Sequence, residues 1–252
     1  MDRYPTTKVM GYHVYARPLN KLSFNGEKCV INTLNAYSYV TAERDAEFSN
    51  ALSESDLLIA DGFPVVMAAR ILNGDQIQKI AGNDIFHFLL QKLNRESGTC
   101  FFLGAAPETL QKIEERLSGD YPNVSVYSYS PPYKPLFSEE DSRQMIQKVN
   151  RVEPDVLFVG MTAPKQEKWV HFHKEKLHSK VICSIGAVFD FYAGTVKRPS
   201  RFWINLRLEW FVRFLKEPRR LFRRYFIYSP LFFWFMFIAL IKGNKKIRPT
   251  AS

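Results

Sequence analysis

The stretch VLFVGMTAPKQEKWV, residues 156–170, contains the local pattern that decides the fold. An apolar run ends at Gly160, and after a short turn Pro164 leads into a segment with the composition of a helix. Three other apolar runs also end in glycine: LLIADG (57–62), CFFLG (100–104) and VICSIG (181–186). Continuous apolar runs are typical of strands buried on both faces, so this pattern predicts strands that each turn into a helix.

Short apolar runs alternate with amphipathic segments from about residue 28 to residue 190. Six of these runs are predicted strands: Cys29–Asn32, Leu57–Ala60, Cys100–Leu103, Val124–Tyr127, Val156–Val159 and Val181–Ile185. Strands that alternate with helices pair in parallel, and the helices cover both faces of the sheet. The sequence therefore predicts an α/β fold with a mostly parallel sheet.

The composition agrees with a globular domain and excludes several other classes. The chain has 252 residues, of which 46% are apolar and 24% charged. The glycine and cysteine contents and a mean hydropathy of -0.21 exclude collagen, a disulfide-stapled miniprotein and a multi-span membrane protein. Cys29, Cys100 and Cys183 are few and far apart, which predicts buried free thiols in a reducing cytoplasm. The N-terminus lacks the apolar region of a signal peptide.

Positive charge is concentrated at the carboxyl-terminal end of the chain. From Lys197 to Arg248 there are 14 basic and two acidic residues, whereas the whole chain has a net charge of +10. Such asymmetry is typical of a segment that meets phosphates, on lipid or on nucleic acid. We therefore expect an α/β catalytic domain in residues 1–195 and a basic, aromatic, membrane-associating helical appendage in residues 196–252.

Two segments of this appendage are predicted to be helical. Apolar residues recur at three- and four-residue spacing in Trp203–Lys216, which predicts an amphipathic helix that Pro218 ends or kinks. Tyr225–Ile241 is a run of 17 uncharged residues interrupted by Pro230. Because a spanning helix needs about 20 apolar residues, we expect a re-entrant or interfacial segment, and a buried core helix is the alternative.

The glycines that end the apolar runs point to a ligand-binding edge. Gly62, Gly104, Gly160 and Gly186 are each predicted to lie just past the carboxyl end of a strand. Ligands of open α/β sheets bind at that edge, and glycine there permits a sharp turn and a close approach of the ligand. A single such glycine is typical of an ordinary turn, whereas four favour a binding site.

Two predicted helices begin with proline at this edge, at Pro107 and Pro164. The N–H groups at a helix start attract anions, so each start is a candidate phosphate site. Lys165 and Gln166 would add donors for a diphosphate, and a solvated helix start is the alternative. Neither turn matches a P-loop or a GxGxxG motif, so the local signal is weak.

Asp61 is the best candidate for a general base. It lies between an apolar strand and Gly62, where a partly shielded carboxylate would face the crevice. An aspartate before a glycine is also a common turn former. Asp190 would accept a hydrogen bond from a nucleoside, and a structural capping role is equally compatible with its position. The chain has no HExxH, CxxC, GxSxG or DxD motif, so the sequence gives no sign of a metal site.

Six segments, in order, resemble the WecG/TagA/CpsF glycosyltransferases of bacterial envelope polysaccharide synthesis. They are NTLNAYSYVTA (32–42), LLIADGFPVVMAARILNG (57–74), IAGNDIFHFLL (80–90), FFLGAAPETLQKIEERL (101–117), PDVLFVGMTAPKQEKWV (154–170) and the stretch from SIGAVFDFYAG to RRLFRRY (184–225). The resemblance covers residues 28 to 226. It implies a Rossmann-like sheet and an inverting hexosyltransferase that uses neither a metal nor another cofactor.

The implied reaction transfers an N-acetylmannosamine-type sugar from a UDP-sugar donor to a GlcNAc-diphospho-undecaprenyl acceptor. The implied location is the cytoplasmic face of the bacterial inner membrane, where a peripheral or monotopic protein docks its tail on the anionic membrane surface. A homo-oligomer is compatible with this reading, and a nucleic acid is not an expected partner. The alternatives are another UDP-hexose or a UDP-uronic acid as donor and, more distantly, a nucleotide-binding oxidoreductase or a nucleic-acid-binding module.

The resemblance assigns the base to Asp61. It places Thr33 and Asn35 along the crevice, Gln166 in the pocket and Asp190 near the nucleotide. The other predicted substrate-binding residues are Gly62, Lys79, Gly82, Asn83, Gly104, Pro164 and Lys165, together with Arg213, Arg219 and Arg220, which the tail would bring to the departing diphosphate. The chain departs from the family pattern at Lys79, where an arginine is common, and after Gly186, where a second glycine is common. Lysine loses the bidentate geometry of arginine, so both departures bear on which sugar is donated.

Overall fold

The computed structural model describes residues 3–196, 203, 211, 214–215 and 218–242. Eight strands are found in this part of the chain: β1 (Thr6–Val9), β2 (Tyr12–Tyr15), β3 (Cys29–Leu34), β4 (Leu57–Ala60), β5 (Thr99–Gly104), β6 (Ser125–Tyr129), β7 (Val156–Gly160) and β8 (Val181–Ser184). The α-helices are α1 (Ala36–Ala42), α2 (Ala46–Ser53), α3 (Phe63–Asn73), α4 (Gly82–Glu96), α5 (Pro107–Asp120), α6 (Glu139–Asn150), α7 (Lys165–His173), α8 (Gly186–Tyr192), α9 (Pro218–Phe222) and α10 (Ser229–Lys242).

Six strands form one sheet in the order β4-β3-β8-β7-β5-β6, and every neighbouring pair is parallel. These are the six strands that the sequence predicts, so the α/β prediction is confirmed. Three of the four strands that end in glycine, β8, β7 and β5, are consecutive in the sheet, and Gly104 of β5 lies opposite Gly160 of β7. The arrangement brings the carboxyl ends of β3, β4, β5, β7 and β8 to one edge of the sheet.

Helices cover both faces of the sheet because successive strand residues point to opposite sides. In β5, Phe102 packs into a core shared with α4, α5 and α8. Its neighbours Phe101 and Leu103 pack into a second core shared with α6 and α7. The same alternation in β7 and β8 explains why these strands are apolar without interruption.

The first two strands form an antiparallel hairpin that the sequence analysis did not predict. Met10 and Gly11 connect them with positive φ angles of 48° and 89°, as in a tight two-residue hairpin turn. Val9 and Val14 are buried in a third core together with α1 and α3. The alternating apolar residues on either side of Gly11 were the signal available for this hairpin.

The described part of the tail is helical from residue 218 to residue 242. Between α9 and α10, Arg223–Tyr228 forms a π-helical turn. Pro230 therefore does not interrupt the helix, contrary to the prediction. Proline has no N–H to donate to the helix, and the π turn before Pro230 has hydrogen bonds that reach five residues back instead of four. The Ser229 hydroxyl also donates to the Arg224 carbonyl (3.3 Å). Of the predicted helix Trp203–Lys216, only Trp203, Phe211, Phe214 and Leu215 lie within the described residues, and they are helical.

The three cysteines are buried free thiols, as predicted. Burial raises the pKa of Cys29 to about 11 and also raises the pKa values of Cys100 and Cys183. These side chains therefore act as small core residues.

Candidate active site

The ends of β3 and β4 bring the predicted general base next to other predicted site residues. We call Thr33, Asn35, Asp61 and Gly62 the β3–β4 rim. Leu34 at the end of β3 lies opposite Ala60 at the end of β4. Asp61 follows Ala60, and its N–H donates to the Leu34 carbonyl (2.9 Å). A Cβ atom built on Gly62 would lie 3.9 Å from the Cβ of Asn35. The Asp61 side chain is half-buried, which agrees with a carboxylate at the edge of a crevice.

Local sequence holds the β3–β4 rim in place. Asn35 caps α1: its side-chain oxygen accepts from the Ser38 N–H (3.0 Å), and the Ser38 hydroxyl accepts from the Asn35 N–H (2.7 Å). This reciprocal capping box fixes the orientation of the Asn35 side chain. Gly62 has a φ of 132°, which only glycine adopts readily, and it turns the chain directly into α3.

The loop before α4 lies beside the same rim. The Ile80 N–H donates to the carbonyl of Ala60 (2.9 Å), which brings the exposed Lys79 beside the end of β4. The half-buried Asn83 is in the first turn of α4. Gly82 is buried, and a Cβ there would lie 3.3 Å from both Ile185 and Val188. Its role in this structure is therefore to let α4 pack against α8.

A second set of residues at the edge is built from close backbone packing. We call Gly104, Gly160, Gly186 and Gln166 the β5–β7 rim. A Cβ on Gly104, whose φ is 117°, would lie 2.3 Å from the Gly160 carbonyl oxygen. A Cβ on Gly160 would lie 2.7 Å from the ring of Phe189, and one on Gly186 would lie 2.7 Å from Oε1 of Gln166. These glycines leave no room for a methyl group.

Gln166 is buried, and its amide bonds within the protein. Its oxygen accepts from the Met161 N–H (3.1 Å), and its nitrogen donates to Oε1 of Glu167 (2.9 Å). Glu167 is only 2% exposed, and burial raises its pKa to about 7. Glu167 was not among the predicted site residues, although its three-residue spacing from Val170 was a signal that both lie on the buried face of α7. This pair holds the loop after β7.

Pro164 precedes α7 instead of occupying its first position, because the helix begins at Lys165. Pro107, in contrast, is the first residue of α5, as predicted. The Lys165 ammonium lies 3.8 Å from the centre of the Phe137 ring and donates to the Lys134 carbonyl. Lys165 therefore bonds to the loop between β6 and α6 in this structure.

Asp190 is half-buried on α8, which follows β8. Because β8 lies between β3 and β7, Asp190 is on the element between the two rims. Its backbone carbonyl accepts from the Thr195 hydroxyl (3.0 Å) and from the Val196 N–H (3.2 Å). This arrangement ends α8.

The tail contacts α1, the helix that follows the β3–β4 rim, through a residue that was not predicted to be in the site. The guanidinium carbon of Arg224 lies 5.2 Å from the centre of the Tyr37 ring, whose centre is 5.0 Å from that of Tyr228. Tyr37 is the second residue of α1, immediately beyond the cap formed by Asn35. Four arginines lie close together in this part of the sequence, so only the docked helix identifies the one against α1.

Of the three predicted tail arginines, the structure describes the side chain of one, Arg219. Arg213 and the side chain of Arg220 lie outside the described residues. Arg219 is exposed on α9. Their predicted contacts with a diphosphate stay predictions.

Two surface grooves are lined by none of the residues of either rim. One, of about 570 Å³, is lined by residues of α6 and by His173 and Lys176. The other, of about 300 Å³, lies beside the amino-terminal hairpin and includes Tyr4 and Arg17. None of the predicted site residues that the structure describes lines either groove.

Comparison with known proteins identifies relatives of the chain. The family model described as "Glycosyl transferase WecG/TagA/CpsF family" matches residues 6–246. The N-acetylglucosaminyldiphosphoundecaprenol N-acetyl-beta-D-mannosaminyltransferase of Bacillus subtilis (strain 168) is 32% identical over 191 residues, which are 76% of this chain and 73% of the relative. The protein of the same name from Bacillus spizizenii (strain ATCC 23059 / NRRL B-14472 / W23) is 32% identical over 190 residues, 75% of this chain and 72% of that relative.

Proposed function

The chain belongs to the glycosyl transferase WecG/TagA/CpsF family, and we propose that it is an inverting, UDP-sugar-dependent enzyme. The donated sugar is of the N-acetylmannosamine type, and the acceptor is the GlcNAc of GlcNAc-diphospho-undecaprenol. The names of the two Bacillus relatives support this donor group and this acceptor. The observation that carries the proposal is the position of Asp61, which is half-buried at the β3–β4 rim and donates its N–H to Leu34, the residue before the capped Asn35.

The proposed reaction is a single displacement at the anomeric carbon. Asp61 removes the proton from the acceptor hydroxyl, and the hydroxyl oxygen forms a bond to the anomeric carbon. The bond between that carbon and the UDP oxygen breaks, and UDP leaves from the opposite face with the electron pair. General-base assistance of this kind contributes roughly 10²- to 10⁴-fold in rate.

In the proposed reaction no metal ion neutralises the negative charge that develops on the departing diphosphate. Positively charged side chains and helix N–H groups must therefore stabilise it. Lys79 lies beside the end of β4, and α4 begins three residues later, at Gly82. The N–H groups of a helix start attract anions. The tail adds Arg224 at α1 and the exposed Arg219. Lys165 would contribute only after releasing the carbonyl of Lys134.

The proposal also locates the enzyme at the cytoplasmic face of the inner membrane. An undecaprenyl acceptor is held in a bilayer, and the basic tail suits an anionic surface. In the part of the chain that the structure describes, Arg223–Lys242 is the helix whose length and composition would allow it to cross a membrane. Membrane binding would complete the site next to the lipid-linked acceptor.

The reaction is tested by measuring UDP release by the purified full-length chain. UDP-N-acetylmannosamine and a GlcNAc-diphospho-prenol are supplied together and singly, in buffer that contains EDTA. We expect release only when both substrates are present, full activity in EDTA, and an inverted anomeric configuration in the product by NMR. A chelator-sensitive rate, or a product with retained configuration, would contradict the mechanism.

A screen of UDP-sugars tests the identity of the donor independently. A ligand that binds only the folded chain raises its melting temperature. We expect the largest shift with UDP-N-acetylmannosamine. A larger shift, accompanied by turnover, with another UDP-hexose or a UDP-uronic acid would replace the proposed donor and leave the family assignment intact.

A further inference from the structure

A buried carboxyl group lies beside the β5–β7 rim, and the proposed reaction does not use it. Glu167 is 2% exposed on α7, and its Oε1 accepts from Nε2 of Gln166 (2.9 Å). The Gln166 oxygen accepts in turn from the Met161 N–H (3.1 Å). This amide spans the loop that carries Pro164, a predicted substrate residue. Because Oε1 of Glu167 is an acceptor, it fixes which end of the Gln166 amide faces the loop.

The surroundings of Glu167 favour its neutral form. Burial raises the pKa of its carboxyl group to about 7. Lys168, the next residue of α7, pairs instead with Asp45 (3.1 Å) and Glu47 (2.6 Å) at the start of α2. A buried carboxylate without a cation is costly, so the carboxyl group keeps its proton. Since Oε1 accepts from Gln166, the proton is on Oε2, which is then a donor.

Three buried side-chain oxygen atoms have no hydrogen-bond partner within the part of the chain that the structure describes. They are Oε2 of Glu167, Oγ of Ser184 in β8 and Oδ1 of Asn32 in β3. Each of these residues is at most 2% exposed. Buried polar atoms in folded proteins are bonded to protein or to ordered water. Three such atoms in one place therefore indicate a bound water molecule.

The strand register brings the three residues to one layer of the fold. Val30 of β3 is paired with Ile182 of β8, and both pack into the core that α7 covers. Asn32 and Ser184 come two residues later on their strands, so their side chains point to the same face of the sheet. Helix α7 packs on this face, and Glu167 is one of its buried residues. The three oxygen atoms thus lie between β3, β8 and α7.

One water molecule would match the donors and acceptors of this layer. The Asn32 amide nitrogen donates to Oγ of Ser55 (2.8 Å), and the Asn32 oxygen remains as an acceptor. The Ser184 hydroxyl and the protonated Oε2 of Glu167 are donors. A water molecule that accepts from these two and donates to Asn32 makes three hydrogen bonds, which is typical of buried water.

We propose that Glu167 is a positioning residue of the substrate site and that its Oε2 shares an internal water molecule with Ser184 and Asn32. Through Oε1 it orients Gln166 and holds the loop between β7 and α7. Through the water it joins this loop to β3, where Asn32 directly precedes Thr33 of the β3–β4 rim. The two rims are then joined by one hydrogen-bonded network. The effect on substrate rests on the proposed function, whereas the network itself does not.

Urea unfolding of single and double variants at pH 6, where Glu167 is neutral, tests the network. Ser184→Ala should lower the folding equilibrium constant about fivefold in the wild-type background, because the water loses one hydrogen bond. In the Glu167→Leu background the apolar side chain has already removed the water site. There we expect Ser184→Ala to change the constant by less than about twofold.

Ser179→Ala is the matched control for this cycle. Ser179 is also buried, but its hydroxyl donates to the Val181 carbonyl (3.0 Å). We expect Ser179→Ala to have the same effect on the folding equilibrium constant in both backgrounds. Equal effects of Ser184→Ala in the two backgrounds would overturn the network.

A crystal structure of the full-length wild-type chain decides the water site without any variant, and so also covers a failure of Glu167→Leu to fold. We expect a water molecule within roughly 3.2 Å of the three side-chain oxygen atoms. Direct hydrogen bonds among Glu167, Ser184 and Asn32, with no water between them, would overturn the water site.

Steady-state kinetics with UDP-N-acetylmannosamine as donor test the positioning role. Glu167→Leu removes the acceptor for the Gln166 amide. We therefore expect the KM for the donor to rise about five- to tenfold while kcat changes less than about twofold. Glu167→Gln keeps an acceptor oxygen and replaces the Oε2 proton with an N–H donor, so it should restore the wild-type KM. Ser179→Ala should leave both constants unchanged.

Two kinetic results would overturn the positioning role. One is a wild-type KM in Glu167→Leu, and the other is a Glu167→Gln variant as impaired as Glu167→Leu. If the wild type releases UDP from no UDP-sugar, the proposed function fails, and the link between Glu167 and substrate fails with it. The unfolding cycle and the crystal structure still decide the network, because neither measurement uses a substrate.

Discussion

The two rims at the carboxyl edge of the sheet are built in different ways. At the β3–β4 rim, polar side chains follow the strand ends, and capping of α1 orients one of them. At the β5–β7 rim, Gly104 and Gly160 bring two backbones into contact, and the Gln166 amide accepts a hydrogen bond from the loop after β7. The first rim therefore presents functional groups, whereas the second provides the rigid backbone beside them.

This difference predicts opposite responses to substitution. At the β3–β4 rim, a change of the Asp61 side chain should remove activity and leave the fold intact. A change at the β5–β7 rim should remove stability first.

Asp61→Asn should lower kcat by roughly 10²- to 10⁴-fold, because the amide has the shape of the carboxylate but does not accept the acceptor proton. The free energy of unfolding by denaturant should change much less, by about 1 kcal/mol, because the half-buried side chain keeps its shape. The control is Glu139→Gln, which alters an exposed acid at the start of α6 and should keep full activity. Full activity in Asp61→Asn would remove this residue from the role of base.

Gly104→Ala should lower the free energy of unfolding by about 3 kcal/mol or more, through backbone strain at positive φ and overpacking. The new methyl group would lie 2.3 Å from the Gly160 carbonyl oxygen. The matched control is Gly119→Ala in α5, where a Cβ has no neighbour within 4 Å. That substitution should stabilise the protein by roughly 0.5 to 1 kcal/mol. Equal effects of the two substitutions in urea unfolding would refute the close packing of the β5–β7 rim.

Glu167 should make the protein less stable as the pH rises. Burial raises the carboxyl pKa from 4.5 to about 7 in the folded chain. Between these values the folded state holds a proton that the unfolded state has released, so stability falls through this window. At about 1.4 kcal/mol per pKa unit, the fall totals roughly 3 kcal/mol by pH 8.

Glu167→Gln should abolish that fall, because the amide does not titrate. The measurement is urea unfolding of both proteins at pH values from 4 to 8. We expect the stability of the variant relative to the wild type to increase with pH across this range. Parallel pH profiles for the two proteins would show that Glu167 is ionised in the folded chain.

Local patterns were sufficient to predict much of the fold. Strand positions such as Val156–Gly160 follow from continuous apolar runs, because a strand covered on both faces has no polar position. The placement of Asp61 at the sheet edge follows from its position directly after such a run. The start of α5 at Pro107 follows from the geometry of proline at a first helical position.

Other features depend on contacts between distant segments. The four strand-end glycines look alike in the sequence, but Gly160 is required by the ring of Phe189 and Gly62 by a turn. The burial of Glu167 depends on the packing of α7 against the sheet. The contact of Arg224 with Tyr37 joins residues 187 positions apart.

The sequence alone determined the alternation of strands and helices, the edge at which Asp61 lies and the family to which the chain belongs, because periodicity, turns and ordered motifs are local properties. Only the tertiary structure decided which glycines are packed against neighbours, which groups the side chains of Gln166 and Lys165 bond to, and which helices α10 packs against. Those contacts join side chains from elements that are far apart in the sequence, so local sequence patterns do not predict them.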